Sequence, residues 1–158
     1  MPLPDWLPQM IDVRPWRIET FDTLYAAFEA DFKTTPPTID GKEVWYFPEM
    51  ENGRERIFWH LTHRDDETGE RLPDLWRCER LCWVRAMITN RTSPDVLFWD
   101  YRESGGNVHT YIWLKDHDFV VILKKYPDGR RRLVTSYFVD KSGKKRTFES
   151  KYKRRIQN

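Results

Sequence analysis

A histidine within an aromatic segment is the first residue of this sequence that could carry out catalysis. His60 follows Phe58 and Trp59, so we expect its ring to be held against the core. An imidazole with a pKa of about 6.5 takes up or releases a proton near neutral pH. His63, three residues later, is an alternative for the same role. The alternative is that the His60 ring only satisfies a core hydrogen bond, and the spacing alone favours this alternative.

Hydroxyl side chains interrupt the last predicted strand. Thr135, Ser136 and Tyr137 lie in the middle of the otherwise apolar run Leu133–Val139. Because side chains alternate across a strand, Thr135 and Tyr137 share one face and Ser136 lies on the other. Hydroxyls in a strand reduce apolar burial unless they form hydrogen bonds or act in a site. The pattern favours a site on the Thr135/Tyr137 face, with the ordinary β-propensity of Thr and Tyr as the alternative.

Basic side chains supply two candidate anion-binding regions. Arg77 and Arg80 are three residues apart on a predicted helix, where they could bind phosphate or pair with Asp74 and Glu79. The chain carries a net charge of only +2, but residues 124–158 hold 13 basic and 3 acidic side chains, giving +10. That block begins at Lys124 and Lys125. A concentration of charge of this kind attracts polyanions such as nucleic acids, although a solubilising tail has the same composition.

Several classes of protein are disfavoured by what the sequence lacks. It has no GxGxxG, P-loop, HExxH or nucleophile-elbow motif. Cys78 and Cys82 are four residues apart in a predicted helix, which suits neither a disulfide nor a zinc site. The acidic run 65–67 lies in a polar segment and is better explained as a solvated loop than as metal ligands. We therefore expect no metal and no cofactor.

No apolar run reaches the roughly 20 residues that span a bilayer, and the first ten residues do not resemble a signal peptide. We therefore expect a cytoplasmic protein that does not enter the membrane.

Changes in hydrophobic period predict the elements that position these residues. Four of the ten prolines lie in residues 1–15, which we interpret as an extended lead-in to a single domain over residues 16–158. An apolar stripe at helical spacing from Ile18 to Phe32 predicts a first helix ending before residues 34–37. A short strand is predicted over Val44–Phe47, a second helix over Asp74–Thr89, and a terminal helix in the basic segment from Lys141.

Four further strands are predicted over Val96–Tyr101, Val108–Lys115, Phe119–Tyr126 and Arg132–Asp140. Because short turns separate them, they form a four-stranded antiparallel meander. The predicted fold class is therefore α+β.

The order of these segments resembles the phage-associated branch of the RNase superfamily that groups barnase, EndoU, the colicin tRNases and the RelE toxins (the BECR fold). The similarity covers about residues 16–155 and lies in the order and composition of the segments, not in an invariant catalytic motif. The landmarks that match are Phe58-Trp59-His60-Leu61-Thr62, the helix start Leu75-Trp76-Arg77-Cys78-Glu79-Arg80 running on to Trp83, the strands Tyr111–Leu114, Phe119–Leu123 and Leu133–Tyr137, and the closing Lys151-Tyr152-Lys153.

The resemblance implies N-terminal helices packed on one face of the sheet and RNA bound on its open side. It implies attack of a ribose 2′-hydroxyl on the adjacent phosphodiester without a metal, leaving a 2′,3′-cyclic phosphate and a 5′-hydroxyl. By position, His60 is similar to the family's histidine, and Thr135 and Tyr137 to its polar last-strand residues. Arg77, Arg80, Lys124 and Lys125 are then candidates for phosphate binding. RNA is then the expected partner, and a protein antitoxin or immunity partner is a possible second one.

Two hypotheses from other classes remain. The same basic, aromatic surface would suit a nucleic-acid-binding module without catalysis. It would also suit a phage-encoded interaction or inhibitor protein, whose aromatic side chains contact a protein partner. Only the nuclease hypothesis requires His60 for activity.

Overall fold

The computed structural model describes residues 2–157 and contains α-helices, short hairpins and one larger sheet. The helices are α1 (Ile18–Glu29), α2 (Arg56–Thr62), α3 (Leu75–Glu79), α4 (Leu81–Thr89) and α5 (Ser142–Lys153), with a π-helical extension at Ala30–Thr34 and a 3-10 turn at Lys115–His117. The strands are β1 (Thr38–Ile39), β2 (Lys42–Glu43), β3 (Met50–Glu51), β4 (Arg54–Glu55), β5 (His63–Asp65), β6 (Arg71–Pro73), β7 (Leu97–Arg102), β8 (Val108–Leu114), β9 (Phe119–Lys125) and β10 (Arg131–Phe138).

The four long strands form an antiparallel sheet in the order β10-β9-β8-β7. Each strand pairs with its neighbour in sequence, so the predicted meander is confirmed. The register is regular except in β10, where a β-bulge at Val134 shifts the pairing between Leu133 and Thr135. An inserted residue reverses the face on which the following side chains lie. Thr135 therefore lies on the opposite face of the sheet from Leu133.

The main core lies between one face of the sheet and the helices that precede it. Leu24 and Phe28 of α1, Phe58 of α2 and Val84 of α4 are fully buried against that face. Ile112 is buried with them from the central part of the sheet. This packing satisfies the apolar stripes of the amphipathic helices. The predicted α+β class, with helices before the sheet, is confirmed.

The C-terminal helix covers much of the second face. Phe148 of α5 packs against Tyr111 and Trp113, with ring centroids 5.7 and 5.6 Å apart. Lys151 donates to both carboxylate oxygens of Glu103 at 3.0 Å, which fixes the helix over the sheet. The face that the family resemblance left open to RNA is thus largely occupied by the protein's own α5.

Other local features differ from the sequence prediction. Residues 56–62 form α2, for which no helix was predicted, and the predicted strand Val44–Phe47 contributes only one bridge, from Trp45 to Arg132. The polar segment around residues 65–67, predicted to be a solvated loop, belongs to the hairpin β5–β6. The predicted helix over 74–89 begins as expected, with the Asp74 side chain accepting from the Arg77 amide, but it is interrupted at Arg80, whose ψ is 14°.

The proline-rich lead-in packs on the domain. Residues 2–15 contain no helix or strand, and Val13 is buried in the core. The indole of Trp83 donates to the carbonyl of Pro8 at 3.1 Å, and that of Trp6 to the Ser93 hydroxyl at 3.2 Å. These contacts attach the lead-in to α4 and to the residues that follow it.

Candidate functional site

A pocket of about 350 Å³ lies between α2 and the outer strand β10. It exists because the chain beside β10 pairs only briefly. The backbone amide of Trp45 donates to the carbonyl oxygen of Arg131 at 3.1 Å, and the amide of Leu133 donates to the carbonyl oxygen of Trp45 at 2.8 Å. Beyond Trp45, this segment no longer pairs with β10. The bulge at Val134 follows directly, and α2 lies next to it. The pocket is lined by Phe47, Arg56, Ile57, His60, Arg132, Leu133, Val134 and Thr135.

Helix α2 turns His60 toward this pocket. Its inner positions Ile57, Phe58 and Leu61 are buried at helical spacing, so Arg56 and His60, four residues apart, lie together on the outer side. His60 is exposed and Arg56 is half-exposed. Two of the polar side chains that line the pocket, Arg56 and His60, are thus presented by a helix whose opposite face is fixed in the core.

Arg77 holds the C-terminal end of α2. Its Nη1 donates to the carbonyl of His60 at 2.9 Å and to that of His63 at 2.7 Å. The last carbonyls of a helix lack partners within the helix and carry partial negative charge, which a guanidinium offsets. Arg77 also pairs with Asp74 at 3.4 Å. Its observed contacts position His60, whereas the sequence suggested a direct phosphate contact.

Its surroundings favour the neutral form of the His60 imidazole. Its pKa lies below the ordinary histidine value, first because the ring is partly removed from water and then because Arg71, Arg56 and Arg77 are positive. Glu51 offsets part of this effect. A neutral imidazole can accept a proton, so the ring is in the form that a general base requires.

His63 lies in a different environment. It is buried, stacked on Phe21 with ring centroids 5.6 Å apart, and its Nδ1 lies 2.8 Å from the Thr62 hydroxyl. Because that hydroxyl donates to the carbonyl of Phe58, we assign Nδ1–H as the donor to Thr62. Burial, followed by the charges of Arg71 and Arg77, lowers the pKa of His63 to about 4. Of the two candidate histidines, only His60 lines the pocket with Thr135.

Thr135 and Tyr137 of β10 lie in different environments. They share a face, since Thr135 pairs with Ile122 and Tyr137 with Val120. Thr135 lines the pocket with His60, but Tyr137 does not. The Tyr137 ring lies beneath Lys144, whose Nζ is 4.3 Å from its centroid, and 5.7 Å from the Arg77 guanidinium carbon. Burial raises the pKa of Tyr137, so its hydroxyl is a poor acid.

The other cations predicted for phosphate binding lie elsewhere. Arg80 is 7% exposed, and its guanidinium lies against Trp76 and Trp83, 4.6 and 5.1 Å from the ring centroids. Lys124 and Lys125 line a separate pocket of about 480 Å³ at the far end of β9. There Lys125 pairs with Asp100 at 3.1 Å. The structure does not bring these three side chains to the His60 pocket.

Two cations in the pocket were not selected from the sequence. Arg132 precedes the bulge, with its guanidinium carbon 4.2 Å from the Phe47 ring centroid and its Nε donating to the Tyr126 hydroxyl at 3.1 Å. Arg56 pairs at 2.8 Å with Glu49, and both side chains are about half exposed, so the pair is weak and can open. The spacing of Arg56 and His60 would have revealed Arg56 if residues 56–62 had been recognised as a helix. For Arg132 the signal was its place in the basic block beside the polar part of the last strand.

In the part of the chain that the structure describes, no three His, Cys, Asp or Glu side chains are grouped so that they could hold a metal ion. Within residues 2–157, no helix combines the length and apolar character needed to cross a bilayer.

Comparisons of the chain with known protein families, curated proteins and solved structures find no match. The family resemblance therefore stays a prediction.

Proposed function

We propose that the protein is an endoribonuclease that cleaves RNA in the His60 pocket without a metal ion. The observation that carries the proposal is that a neutral imidazole, a hydroxyl and two guanidinium groups line one open pocket: His60, Thr135, Arg56 and Arg132. A base beside cations is the combination that attack by a ribose hydroxyl on a phosphodiester requires. The pocket is open to solvent, as a polymeric substrate demands.

The reaction uses each group in turn. His60 accepts the proton of the ribose 2′-hydroxyl while the 2′-oxygen bonds to phosphorus. The P–O5′ bond breaks, and the 5′-oxygen leaves with a proton from water. Arg132 and Arg56 stabilise the negative charge on the five-coordinate phosphorus, and the Thr135 hydroxyl hydrogen-bonds a non-bridging oxygen. The products are a 2′,3′-cyclic phosphate and a 5′-hydroxyl, and the imidazolium returns its proton to solvent.

Such an activity acts on the RNA of the cell that makes the protein, so we propose a cytoplasmic toxin controlled by an antitoxin or immunity protein. A module that binds RNA without cleaving it is the alternative. Such a module would use Arg56 and Arg132 to bind phosphate, but the neutral imidazole of His60 beside them would have no role.

Cleavage in a chelator tests the proposal. Purified protein incubated with tRNA and mRNA in EDTA is expected to cut both at micromolar protein concentration, because the pocket supplies its own positive charge. Gel electrophoresis of end-labelled RNA measures the result. RNA that stays intact over several buffers and pH values, while still binding the protein, would leave only the binding module.

The rate of cleavage is expected to fall on the acid side of its pH profile. The pKa of His60 is lowered, so the base form persists below the pH at which an ordinary histidine is half protonated. Protonation then removes the base, and the midpoint of the acid limb of kcat/KM lies below about 6.5. Because Arg71 is the largest charged contribution to the lowered pKa, Arg71→Met is expected to move this midpoint to higher pH. A profile with no acid limb between pH 4 and 8 would contradict the role of His60.

A further inference from the structure

An exposed tryptophan lies outside the catalytic pocket and has no role in the reaction described above. Trp76 of α3 is 47% exposed, although large aromatic side chains usually bury most of their surface. One face of its indole stacks on Phe138 of β10, with centroids 4.5 Å apart and planes inclined by 16°. The position of Trp76 is therefore fixed by packing, while much of its ring surface stays in contact with water.

The neighbouring guanidinium does not cover the face of the indole opposite Phe138. The Arg80 guanidinium carbon is 4.6 Å from the Trp76 ring centroid and 5.7 Å from that of Phe138. If Arg80 lay on the face of the indole opposite Phe138, the distance from its guanidinium carbon to the Phe138 centroid would approach the sum of the Trp76–Phe138 and Trp76–Arg80 distances. The observed distance is much shorter, so Arg80 lies beside the stacked pair and not across the indole from Phe138. A flat, exposed aromatic face held in place by packing is the platform on which nucleobases stack.

Shared residues connect this platform to the catalytic pocket. Trp76 and Phe138 line a pocket of about 450 Å³ that Arg64 also lines. Arg64 also lines the adjacent pocket of about 260 Å³, together with His60, Arg71 and Arg77. His60 in turn lines the pocket that contains Thr135. The three pockets therefore follow one another from the catalytic base to the exposed indole, each sharing a lining residue with the next.

The charge in the middle of this path suits a phosphate backbone. Arg64, Arg71 and Arg77 line that section with one acidic residue, Asp65, and the Trp76 end is lined by Arg14 and Arg64 together with Asp74 and Asp140. Arg64 is exposed at the base of the β5–β6 hairpin. The alternative route, across the second face of the sheet, is obstructed by α5 through the packing of Phe148. A strand of nucleic acid leaving the His60 pocket meets cations first and then an aromatic platform.

We propose that Trp76 is a base-stacking subsite for single-stranded RNA, joined to the His60 pocket by the arginine-lined path through Arg64. The substrate then runs past Arg64 and Arg71 toward α3, with its phosphates on these two arginines and one base on the indole. This inference rests on the proposed function, because it assigns the strand that flanks the bond to be cleaved. It also explains an exposed Trp76 that contributes little to the core.

Binding of uncleavable RNA tests the subsite. Fluorescence anisotropy of 2′-O-methyl oligonucleotides of two, four and eight nucleotides gives affinities for the wild type, Trp76→Ala and Trp76→Phe. The affinity of the wild type for the octanucleotide is expected to exceed that of Trp76→Ala by about 5- to 150-fold, the range for loss of one base–aromatic stack. Trp76→Phe is expected to retain most of the affinity. The dinucleotide is too short to connect the pockets, so the advantage of the wild type should grow with oligonucleotide length.

Two further variants separate stacking from general effects. Arg64→Ala is expected to weaken binding of the octanucleotide and to lower the slope of log affinity against log salt by about 0.7, the value for one single-strand phosphate contact. Ile18→Ala removes another exposed apolar side chain, 89% exposed on α1, and is expected to leave affinity unchanged. Thermal unfolding of every variant shows whether it is folded at the assay temperature.

The outcomes distinguish the subsite from the nuclease activity. Equal octanucleotide affinities for wild type and Trp76→Ala, with tight binding by both, would overturn the subsite and leave the His60 chemistry standing. Trp76-dependent binding without cleavage of unmodified RNA in EDTA would support the subsite and overturn the nuclease proposal. A wild-type protein that binds no oligonucleotide would overturn both.

Discussion

Replacing His60 with alanine is expected to slow RNA cleavage by about 10²- to 10⁴-fold, the usual contribution of a general acid or base. The substitution removes the neutral imidazole that lines the pocket with Thr135 and Arg132 and leaves both of those side chains in place. Arg77 contacts the backbone carbonyl of residue 60, so the end of α2 keeps its partner in the variant. Single-turnover cleavage of an end-labelled RNA, with enzyme in excess, measures the chemical step apart from product release.

The matched control for this variant is another histidine outside the pocket. His117 lies in the turn between β8 and β9, where its ring contacts the carbonyl of Pro2 at 3.2 Å. His117→Ala is expected to cleave RNA at the wild-type rate. If His60→Ala also cleaved at the wild-type rate, the base would lie elsewhere and the assignment of the pocket would fail.

The second large effect concerns the support of α2. Phe58→Ala is expected to lower the free energy of unfolding by about 3–5 kcal/mol, the cost of emptying a fully buried phenylalanine site. Phe58 is fully buried and packs against Tyr25 and Phe28 of α1, with ring centroids 5.3 and 5.7 Å away. A loss of this size is a large share of the roughly 5–15 kcal/mol that stabilises a typical domain. The position of α2, and with it that of His60, therefore depends on the packing of the Phe58 ring.

Urea denaturation followed by circular dichroism gives the change in stability from the shift in midpoint at constant slope. Met50→Ala is the control, because that side chain is 57% exposed and its loss should change stability by less than about 0.5 kcal/mol. A loss below about 1 kcal/mol for Phe58→Ala would show that α2 is not packed on α1 in solution as described.

The long periodic segments were predictable because each satisfies one clear rule. The stripe from Ile18 to Phe32 specifies a helix, and short turns between β-branched and aromatic runs specify the four-stranded meander. Helix α2 was not predicted because seven residues rich in aromatic side chains fit a short buried strand as well as a helix. The interruption at Arg80 was equally hidden, since the apolar spacing continues through it.

The site was predictable only in part, because its contacts join residues far apart in sequence. The strand pattern placed Thr135 and Tyr137 on one face, and the register confirms this. It could not show that α5 would pack beside Tyr137 or that the bulge at Val134 would bring Thr135 to the pocket. Nor could helical spacing distinguish Arg77, which holds α2 through two carbonyls, from Arg80, which is buried among aromatic rings. These outcomes depend on tertiary packing, which no local window of sequence specifies.

The most direct measurement uses one RNA oligonucleotide with a mapped cleavage position and a copy that carries a single 2′-deoxynucleotide on the 5′ side of that bond. Both are incubated with the wild type in EDTA, and the ends of the products are identified by mass spectrometry. We predict that the all-ribose strand is cut to a 2′,3′-cyclic phosphate and a 5′-hydroxyl, and that the substituted bond stays intact. Cleavage at the substituted bond, or products with 3′-hydroxyl and 5′-phosphate ends, would contradict attack by the ribose hydroxyl and with it the role of His60.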